Sequence, residues 1–291
     1  MPTVSIVVPC SNGGRFLDAL IASIRGQTFR DFETIIVDDG STDGATREKL
    51  ASLPADIRVI RQDNAGLSAA RNAGFRAASA EIVLPLDCDD TMEPAHLAET
   101  VPLLQAAPAG VGFVFTYERL VGARSGVAEF YFNPFDQLFV NRLSYCLLLR
   151  KSAWQRAGGY DEAMRDGYED WEFNIRLMKC GYQGICLAKP LVHYLVSNSG
   201  MLMNKSSRLH AALWRGMRAK HTDLYRPGAL LRLWWQSRGM SGKISLPVAA
   251  ALLSMAFMLP EAWFSAFIDR LRRSRMANAG PAASAAPAAS G

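Results

Sequence analysis

The sequence has few cysteines, and their spacing follows no pairing pattern. The five cysteines in the 291 residues are Cys10, Cys88, Cys146, Cys180 and Cys186. Their number is odd and no two form a CxxC pair, which excludes a disulfide framework and a zinc site and favours a reducing cytoplasm. The chain also begins without the basic segment of a signal peptide. We therefore expect a cytoplasmic protein.

Long hydrophobic runs are absent as well. The longest uncharged apolar segment, Ile244–Leu259, has 16 residues, whereas a membrane-spanning helix needs about 20. Continuing it to Ile268 adds Glu261 and a second proline, which does not favour a single span. Two alternatives remain open. In the first, the segment belongs to a helix pair that lies in the headgroup region of a membrane. In the second, it belongs to a helical subdomain that packs on the catalytic sheet.

Acidic residues are scarce in the last third of the chain. The net charge is +5 overall, but residues 201–291 contain thirteen Lys and Arg against three Asp and Glu, a net charge of +10. Trp234, Trp235 and Trp263 supply aromatic rings of the kind found at membrane interfaces. We expect residues 201–276 to form a basic helical region that associates with an anionic membrane, and not with nucleic acid. The Ala/Pro/Ser-rich residues 277–291 are predicted to be a disordered tail.

Short apolar segments alternate with helical patterns along the first 200 residues. The predicted strands are Val4–Pro9, Phe32–Val37, Ile57–Ile60, Ile82–Leu86, Val111–Tyr117 and Leu143–Leu149, followed by one or two strands within Gln183–Val196. Pro190 is expected to break the last of these, and Asp170–Cys180 is predicted to be a helix. Residues 118–142 have a weak pattern that predicts hairpins or loops. The alternation indicates an α/β fold built from parallel βαβ units.

Three carboxylates end the fourth predicted strand. Asp87, Asp89 and Asp90 follow the apolar segment Ile82–Leu86, which places them at the sheet edge where ligands bind in open α/β folds. Hard oxygen ligands suit Mg²⁺ or Mn²⁺, and these ions usually bind together with substrate phosphates. The alternative is a solvated turn that caps the next helix, for which one Asp would suffice.

Other polar residues lie next to helix N-termini. Asp38 and Asp39 follow the second strand, where they can accept hydrogen bonds from a nucleoside or form a simple acidic turn. Arg71 lies near the start of its helix, a position that suits either a diphosphate ligand or solvent. Glu169 and Asp170 lie at the start of a predicted helix. One explanation is that the helix dipole favours acids at this position. The other is that Asp170 serves as a general base.

Two residues near these motifs have a structural and a functional interpretation. Trp171 is more often a core residue than a platform for a sugar ring. His193 lies in an apolar strand, where a core histidine is more common than a metal or phosphate ligand.

Seven segments resemble the motifs of family 2 glycosyltransferases with the GT-A fold, and they occur in the family's order. They are Val4–Pro9, Gln27–Glu33, Val37–Asp43, Asn64–Gly74, Leu86–Asp90, Gly158–Glu162 and Glu169–Glu172. The resemblance covers roughly residues 3–200 and implies a GT-A domain over residues 1–200, a Rossmann-like, mostly parallel sheet with flanking helices. It also implies a nucleotide-diphosphate sugar donor, with a UDP-sugar favoured, a divalent metal, and inversion at the anomeric carbon.

The resemblance further implies roles for individual residues. The nucleotide-sugar site would be formed at the strand ends by Pro9, Asn12, Asp38, Asp39, Arg71, Asp87, Asp89 and Asp90. Within it, Asp39 would contact the base or ribose and Arg71 the diphosphate. Asp87 and Asp89 would form the DxD motif that holds ribose and metal. Asp170 would be the general base, with Glu169 as the next candidate.

The sequence departs from the family pattern in places. Ser11 stands where many relatives have Tyr, and Tyr194–Ser197 stands where relatives often have Tyr-Arg-x-His. The Gln-x-x-Arg-Trp motif of processive synthases is absent, which favours one sugar transfer per encounter.

The sequence therefore predicts a glycosyltransferase of polysaccharide, lipopolysaccharide or glycolipid synthesis, peripheral at the inner face of the cell membrane. It would act on a saccharide or lipid-linked acceptor. One alternative is a nucleotidyltransferase, although no Gly-rich loop with a Lys follows the first strand. Another is a non-catalytic protein that binds nucleotide sugars or serves as a membrane scaffold.

Overall fold

Nine β-strands form one sheet within the part of the chain that the structure describes. The structure is a computed structural model that describes residues 1–197, 209–242, 244–260, 262–264, 266–267 and 270. The strands are β1 (Val4–Cys10), β2 (Phe32–Asp39), β3 (Ile57–Gln62), β4 (Ile82–Pro85), β5 (Thr91–Met92), β6 (Val111–Gly122), β7 (Gly126–Ala128), β8 (Leu148–Arg150) and β9 (Gln183–Val196). Their order is β3-β2-β1-β4-β8-β6-β9-β5, and β7 pairs with β6.

The half of the sheet nearest the N-terminus is parallel. β1 pairs in parallel with β2 and β4, and β2 pairs in parallel with β3. In the other half, β8 runs antiparallel to β4 and β6, while β6 and β9 are parallel. The carboxyl ends of β1, β2 and β4 therefore meet at one edge, where Asp38, Asp39 and Asp87 lie. The predicted α/β fold is confirmed, with a sheet that is parallel on one side and mixed on the other.

Helices cover both faces of this sheet. Among the described residues they are α1 (Leu17–Arg25), α2 (Gly44–Ala51), α3 (Leu67–Ala77), α4 (His96–Ala106), α5 (Lys151–Arg156), α6 (Glu169–Lys179), α7 (His210–Lys220), α8 (Pro227–Ser237) and α9 (Leu246–Met258). The core on one face includes residues of α1 and α4, and the core on the other includes residues of α3, α5 and α6. Helix α3 packs closely on β1, because a Cβ on Gly74 would lie 2.2 Å from Cγ1 of Val7.

The predicted strand at Leu143–Leu149 is wrong over most of its length, because only Leu148–Arg150 pairs as β8. The preceding residues turn towards the interior instead. Ser144 donates a hydrogen bond to Glu118, and the hydroxyl of Tyr145 donates one to Asp90. Most residues of this segment are buried, although only its last two belong to the strand.

The expected break at Pro190 appears as an irregularity within one strand. β9 runs continuously through Pro190, but its register against β6 shifts on both sides of Tyr117, which is the partner of Pro190. A proline lacks the N–H that the ladder needs, so the pairing adjusts without ending the strand. The hairpin expected within residues 118–142 is present as the antiparallel pair β6–β7.

The C-terminal helices pack against the rest of the protein. A third core cluster joins α6 and the 3₁₀ turn Asp136–Leu138 to α7, α9 and the residues after α9. Trp171, Trp214 and Phe264 are its largest buried side chains, each at most 2% exposed. This packing agrees with the helical subdomain considered above. No described helix combines the length and apolar character that crossing a membrane requires, and the predicted tail 277–291 lies outside the described residues.

Candidate active site

The end of β2 is held by a network around two buried carboxylates. Asp39 accepts hydrogen bonds from the backbone N–H groups of Ala65 (2.8 Å) and Gly66 (2.9 Å) and from the side chain of Gln62 (2.8 Å). Gly66 has a φ of +93°, a conformation that favours glycine. A carboxylate has about four acceptor positions, so Asp39 retains capacity for a further donor.

Asp38 has a more structural role than its neighbour. It accepts a hydrogen bond from the N–H of Ser41 (2.9 Å) and pairs with Arg61 (2.8 Å). Both contacts shape the turn between β2 and α2. The predicted contact of Asp38 with the donor stays a prediction.

Asn12 joins the loop after β1 to the loop after β2. Its backbone has a φ of +52°, and its side-chain oxygen accepts hydrogen bonds from the N–H groups of Thr42 (2.8 Å) and Asp43 (3.1 Å). Asn and Asp tolerate this left-handed conformation better than most residues. Pro9 is buried within β1, one residue before the strand ends at Cys10.

The three acids after β4 have three different environments. Asp90 is buried and accepts hydrogen bonds from the hydroxyl of Tyr145 and from the N–H of Leu195 (2.7 Å). Asp87 pairs with Arg71 at 2.8 Å. Asp89 is half-buried, and no other residue within the described ranges donates a hydrogen bond to it. Asp89 is thus the member of the cluster with its carboxylate available.

Burial and mutual repulsion raise the pKa of two of these acids. Burial is the main cause at Asp90, whose pKa lies well above its ordinary value, and the charge of Asp87 adds to it. The same two causes, in the same order, raise the pKa of Asp89. A cation beside Asp89 would relieve this repulsion.

Arg71 connects the acids after β4 to the acids that begin α6. Its guanidinium pairs with Asp87 at 2.8 Å and with Glu169 at 2.9 Å, although the residues are 98 positions apart in the second pair. The rings of Tyr145 and Tyr160 lie beside it, each with its centroid 5.4 Å from Cζ. Arg71 is only 1% exposed. Its predicted contact with a diphosphate stays a prediction.

A strained turn places Glu169 and Asp170 at the start of α6. Tyr168, the residue before them, has a φ of +66°, which is uncommon for an aromatic residue. Its hydroxyl hydrogen-bonds Nδ1 of His210 from α7 at 2.7 Å. Asp170 accepts a hydrogen bond from the amide of Asn141 at 2.8 Å. The C-terminal helices therefore help to hold the turn that carries the predicted base.

The acids of this turn have raised pKa values. Burial raises the pKa of Glu169 to about 7, and the opposing charge of Arg71 limits the increase. Burial also raises the pKa of Asp170, again opposed by Arg71. Raised carboxyl pKa values are typical of groups that exchange protons during catalysis.

Two residues at this site were not identified from the sequence. Glu118 on β6 is buried, accepts a hydrogen bond from Ser144 and has a pKa raised to about 7 by burial. A single acid immediately after the apolar segment Val111–Tyr117 was the available signal for it. Asn141 carries no local signal, because its relevance depends on Asp170, which is 29 positions away.

Trp171 and His193 have structural roles. Trp171 is 1% exposed and donates a hydrogen bond from its indole to the carbonyl of Gln137 (2.6 Å), as expected for a core residue. His193 on β9 contacts Glu93 through Nε2 at 2.8 Å and Thr91 through Nδ1 at 3.3 Å. These contacts join β9 to the segment around β5.

The donor set fits a divalent cation that substrate phosphates help to bind. Asp89 has an available carboxylate, and Asp87 lies two residues away in the same turn. No group of three or more His, Cys, Asp or Glu side chains within the described residues forms a complete metal site. Mg²⁺ commonly uses one or two carboxylates together with phosphates and water, so a partial protein site is the arrangement expected.

The fold and the order of these motifs agree with the comparison with known families. Residues 5–154 match the family model described as glycosyl transferase family 2. The chain belongs to this family. Among curated relatives, the uncharacterized glycosyltransferase EpsJ of Bacillus subtilis is 41% identical over 118 residues, which are 39% of this chain and 34% of EpsJ. The chain spans about a third of the length of EpsJ and of two further curated glycosyltransferases, alr2836 of Nostoc and EpsH of Bacillus subtilis.

Solved structures share the fold at low sequence identity. S. aureus TarS 1-349 in complex with UDP-GlcNAc has a TM-score of 0.63 at 18% identity and covers 87% of this chain and 81% of its own. The mannosyltransferase PcManGT from Pyrobaculum calidifontis, in complex with GDP-Man and Mn²⁺, has a TM-score of 0.55 at 22% identity. The match covers 97% of this chain and 76% of PcManGT. The predicted GT-A fold is confirmed.

Replacing Glu169 with Gln should flatten the pH dependence of stability. The folded-state pKa is about 7 against an ordinary value of 4.5. As the pH rises, the unfolded chain loses the Glu169 carboxyl proton at a lower pH than the folded protein does. The free energy of unfolding therefore falls as the pH rises from 4.5 to about 7. Urea unfolding of wild type and Glu169→Gln across this range measures the difference. Glu48→Gln, on the exposed side of α2, controls for the loss of one charge, and equal slopes in all three proteins would contradict the prediction.

Proposed function

We propose that this protein is an inverting, metal-dependent glycosyltransferase that moves a sugar from a nucleotide-diphosphate donor to an acceptor hydroxyl. The observation that carries the proposal is the placement of Asp39, the Asp87–Asp89 motif and Asp170 at one edge of the sheet. Arg71 pairs there with Asp87 and with Glu169, the neighbour of Asp170. Relatives are named for glycosyl transfer, among them a cholesterol galactosyltransferase of Borreliella burgdorferi. The acceptor class that follows is a saccharide or lipid-linked molecule of polysaccharide, lipopolysaccharide or glycolipid synthesis.

The donor nucleotide would bind across the ends of β1, β2 and β4. Asp39 has a free acceptor position for a base N–H or a ribose hydroxyl, and Pro9 and Asn12 form the neighbouring wall. A UDP-sugar is favoured by the family resemblance, and structural neighbours are in complex with UDP-GlcNAc and with GDP-Man.

Asp89, with Asp87 beside it, would hold Mg²⁺ or Mn²⁺ against the donor diphosphate. Such an ion neutralises the charge that develops on the leaving diphosphate. The availability of the Asp89 carboxylate and its raised pKa support this assignment. Asp90 serves a different purpose, because its oxygens are used by Tyr145 and Leu195 to position the turn.

Asp170 would accept the proton of the acceptor hydroxyl as this hydroxyl attacks C1 of the donor sugar from the opposite side. One displacement inverts the anomeric configuration. The amide of Asn141 donates to Oδ2 of Asp170 and fixes its orientation, which leaves the other oxygen for the acceptor. Arg71 keeps Glu169 and Asp87 in place, so the base and the metal-binding acids keep a constant separation.

Loss of the Asp89 carboxylate should abolish transfer and weaken donor binding. Asp89→Ala removes the available ligand, and an excess of chelator should have the same effect on the wild type, with recovery on adding Mn²⁺ or Mg²⁺. Release of nucleoside diphosphate over a panel of donors measures transfer. Asp56→Ala, which removes an exposed carboxylate next to the amino end of β3, is the control. Full turnover in chelator would contradict the metal role, and pyrophosphate release would indicate a nucleotidyltransferase.

Replacing Asp170 with Asn should lower kcat by about 10²-fold or more while leaving donor affinity nearly unchanged, because the change removes proton transfer and preserves shape. Asn141→Ala should lower kcat less, since the base remains but loses its hydrogen-bond partner. Steady-state kinetics with titration of donor binding separates the two quantities. Near-normal kcat in Asp170→Asn would place the base elsewhere, with Glu169 as the next candidate.

We further propose that the protein is peripheral at the cytoplasmic face of the membrane. Large apolar side chains are exposed on and after the last two helices, with Trp235 58%, Phe257 91%, Met258 77% and Trp263 72% exposed. Arg238 lies over the ring of Trp235, with Cζ 3.3 Å from its centroid. Exposed aromatic residues together with the net charge of +10 after residue 200 complement an anionic leaflet.

The protein should sediment with vesicles that contain phosphatidylglycerol and much less with vesicles of phosphatidylcholine alone. Phe257→Ser and Trp263→Ser together should reduce binding, because each removes an apolar side chain that is exposed in the folded protein. Val127→Ser, at an exposed apolar position on β7, is the matched control. Equal sedimentation of the double variant and the control would contradict the membrane surface.

A further inference from the structure

Two thiols meet where the first and fourth strands end. Cys10 is the last residue of β1, and Cys88 lies between Asp87 and Asp89. β1 and β4 are paired in register, with Val7 opposite Pro85, so the two cysteines lie three residues beyond the same pair. Both sulfur atoms lie beside Gly13.

The packing around Gly13 fixes both sulfur atoms. A Cβ at Gly13 would lie 2.6 Å from Sγ of Cys88 and 3.3 Å from Sγ of Cys10. The thiols thus fill the space next to Gly13, in the loop that follows β1. Cys10 is 1% exposed, whereas Cys88 is partly exposed and accessible to a small reagent.

The position of this pair couples it to both halves of the proposed donor site. Cys10 connects Pro9 to the loop that contains Asn12, and Cys88 separates the two acids of the DxD motif. A covalent bond between the sulfurs would draw the two chain segments together. The carboxylates of Asp87 and Asp89 would move with Cys88, and Asp87 would leave the position that its ion pair with Arg71 sets.

We propose that Cys10 and Cys88 form a reversible disulfide that closes the donor site, with low-molecular-weight disulfides as the oxidant. The effect on donor binding rests on the proposed function, whereas the formation of the bond does not. The earlier expectation that the five cysteines form no disulfide framework is unaffected, because this bond is a modification of a protein that folds with free thiols.

The reaction is a pair of thiol–disulfide exchanges. The accessible thiol of Cys88 attacks the small disulfide RSSR, forming a mixed disulfide and releasing one RSH. Cys10 then attacks the Cys88 sulfur, forms the Cys10–Cys88 bond and releases the second RSH. Two protein thiols are oxidised, one RSSR is reduced to two RSH, and the two thiol protons leave with these products.

The test uses the full-length protein with and without 2-hydroxyethyl disulfide. Peptide mapping by mass spectrometry should find residues 10 and 88 cross-linked, and dithiothreitol should reverse the bond. Calorimetric binding of UDP and of GDP should weaken by about tenfold or more on oxidation, the scale of one lost charge-assisted contact. Cys88→Ser should keep its nucleotide affinity under oxidation, whereas Cys186→Ser, at an exposed cysteine, should respond like the wild type.

Three results would overturn the inference. They are a failure to cross-link Cys10 to Cys88, cross-linking with unchanged nucleotide affinity, and equal sensitivity to oxidation in Cys88→Ser. Reduced wild-type protein that binds neither nucleotide contradicts the proposed function instead. Mass spectrometry still tests the disulfide in that case, so the two failures are distinguishable.

Discussion

One buried guanidinium holds the catalytic region together. The negative charge of Asp87 contributes to the raised pKa values of Glu169 and Asp170. The positive charge of Arg71 opposes this increase at both residues. Removing one partner from such a buried pair typically costs about 3–5 kcal/mol. Arg71 can reach both sides only because α3 lies close against β1, where Gly74 meets Val7 without space for a side chain. Thus a packing constraint far from any substrate determines where the acids stand.

The placement of Asp39 and Asp87 at one sheet edge was predictable because it follows from local patterns. Asp39 ends β2 and Asp87 follows β4 closely, and the carboxyl ends of parallel strands share one edge. The parts that were not predictable depend on contacts between distant residues. The pairing of Arg71 with Glu169 spans 98 positions, and nothing in the helical pattern around Arg71 distinguishes a buried partner from a diphosphate ligand. Likewise, the apolar character of Leu143–Leu149 did not distinguish a strand from a buried loop.

The proposed base, Asp170, lies in a different part of the molecule from the proposed donor pocket. The family model ends at residue 154, before the turn that carries Asp170. This turn is held from two sides, by Asn141 after the 3₁₀ turn and by His210 of α7 through Tyr168. A left-handed Tyr is costly on its own, at about 1–3 kcal/mol, and persists where surrounding contacts compensate for it. The buried stack of Trp171, Trp214 and Phe264 provides such contacts.

This division has a consequence for how the proposed activity could be altered. Substitutions within α7 to α9 would change the support of Tyr168 and Asp170 without touching Asp39 or Asn12. Under the proposed function, acceptor preference and turnover would then respond to the C-terminal helices, whereas nucleotide recognition would respond to the ends of the strands.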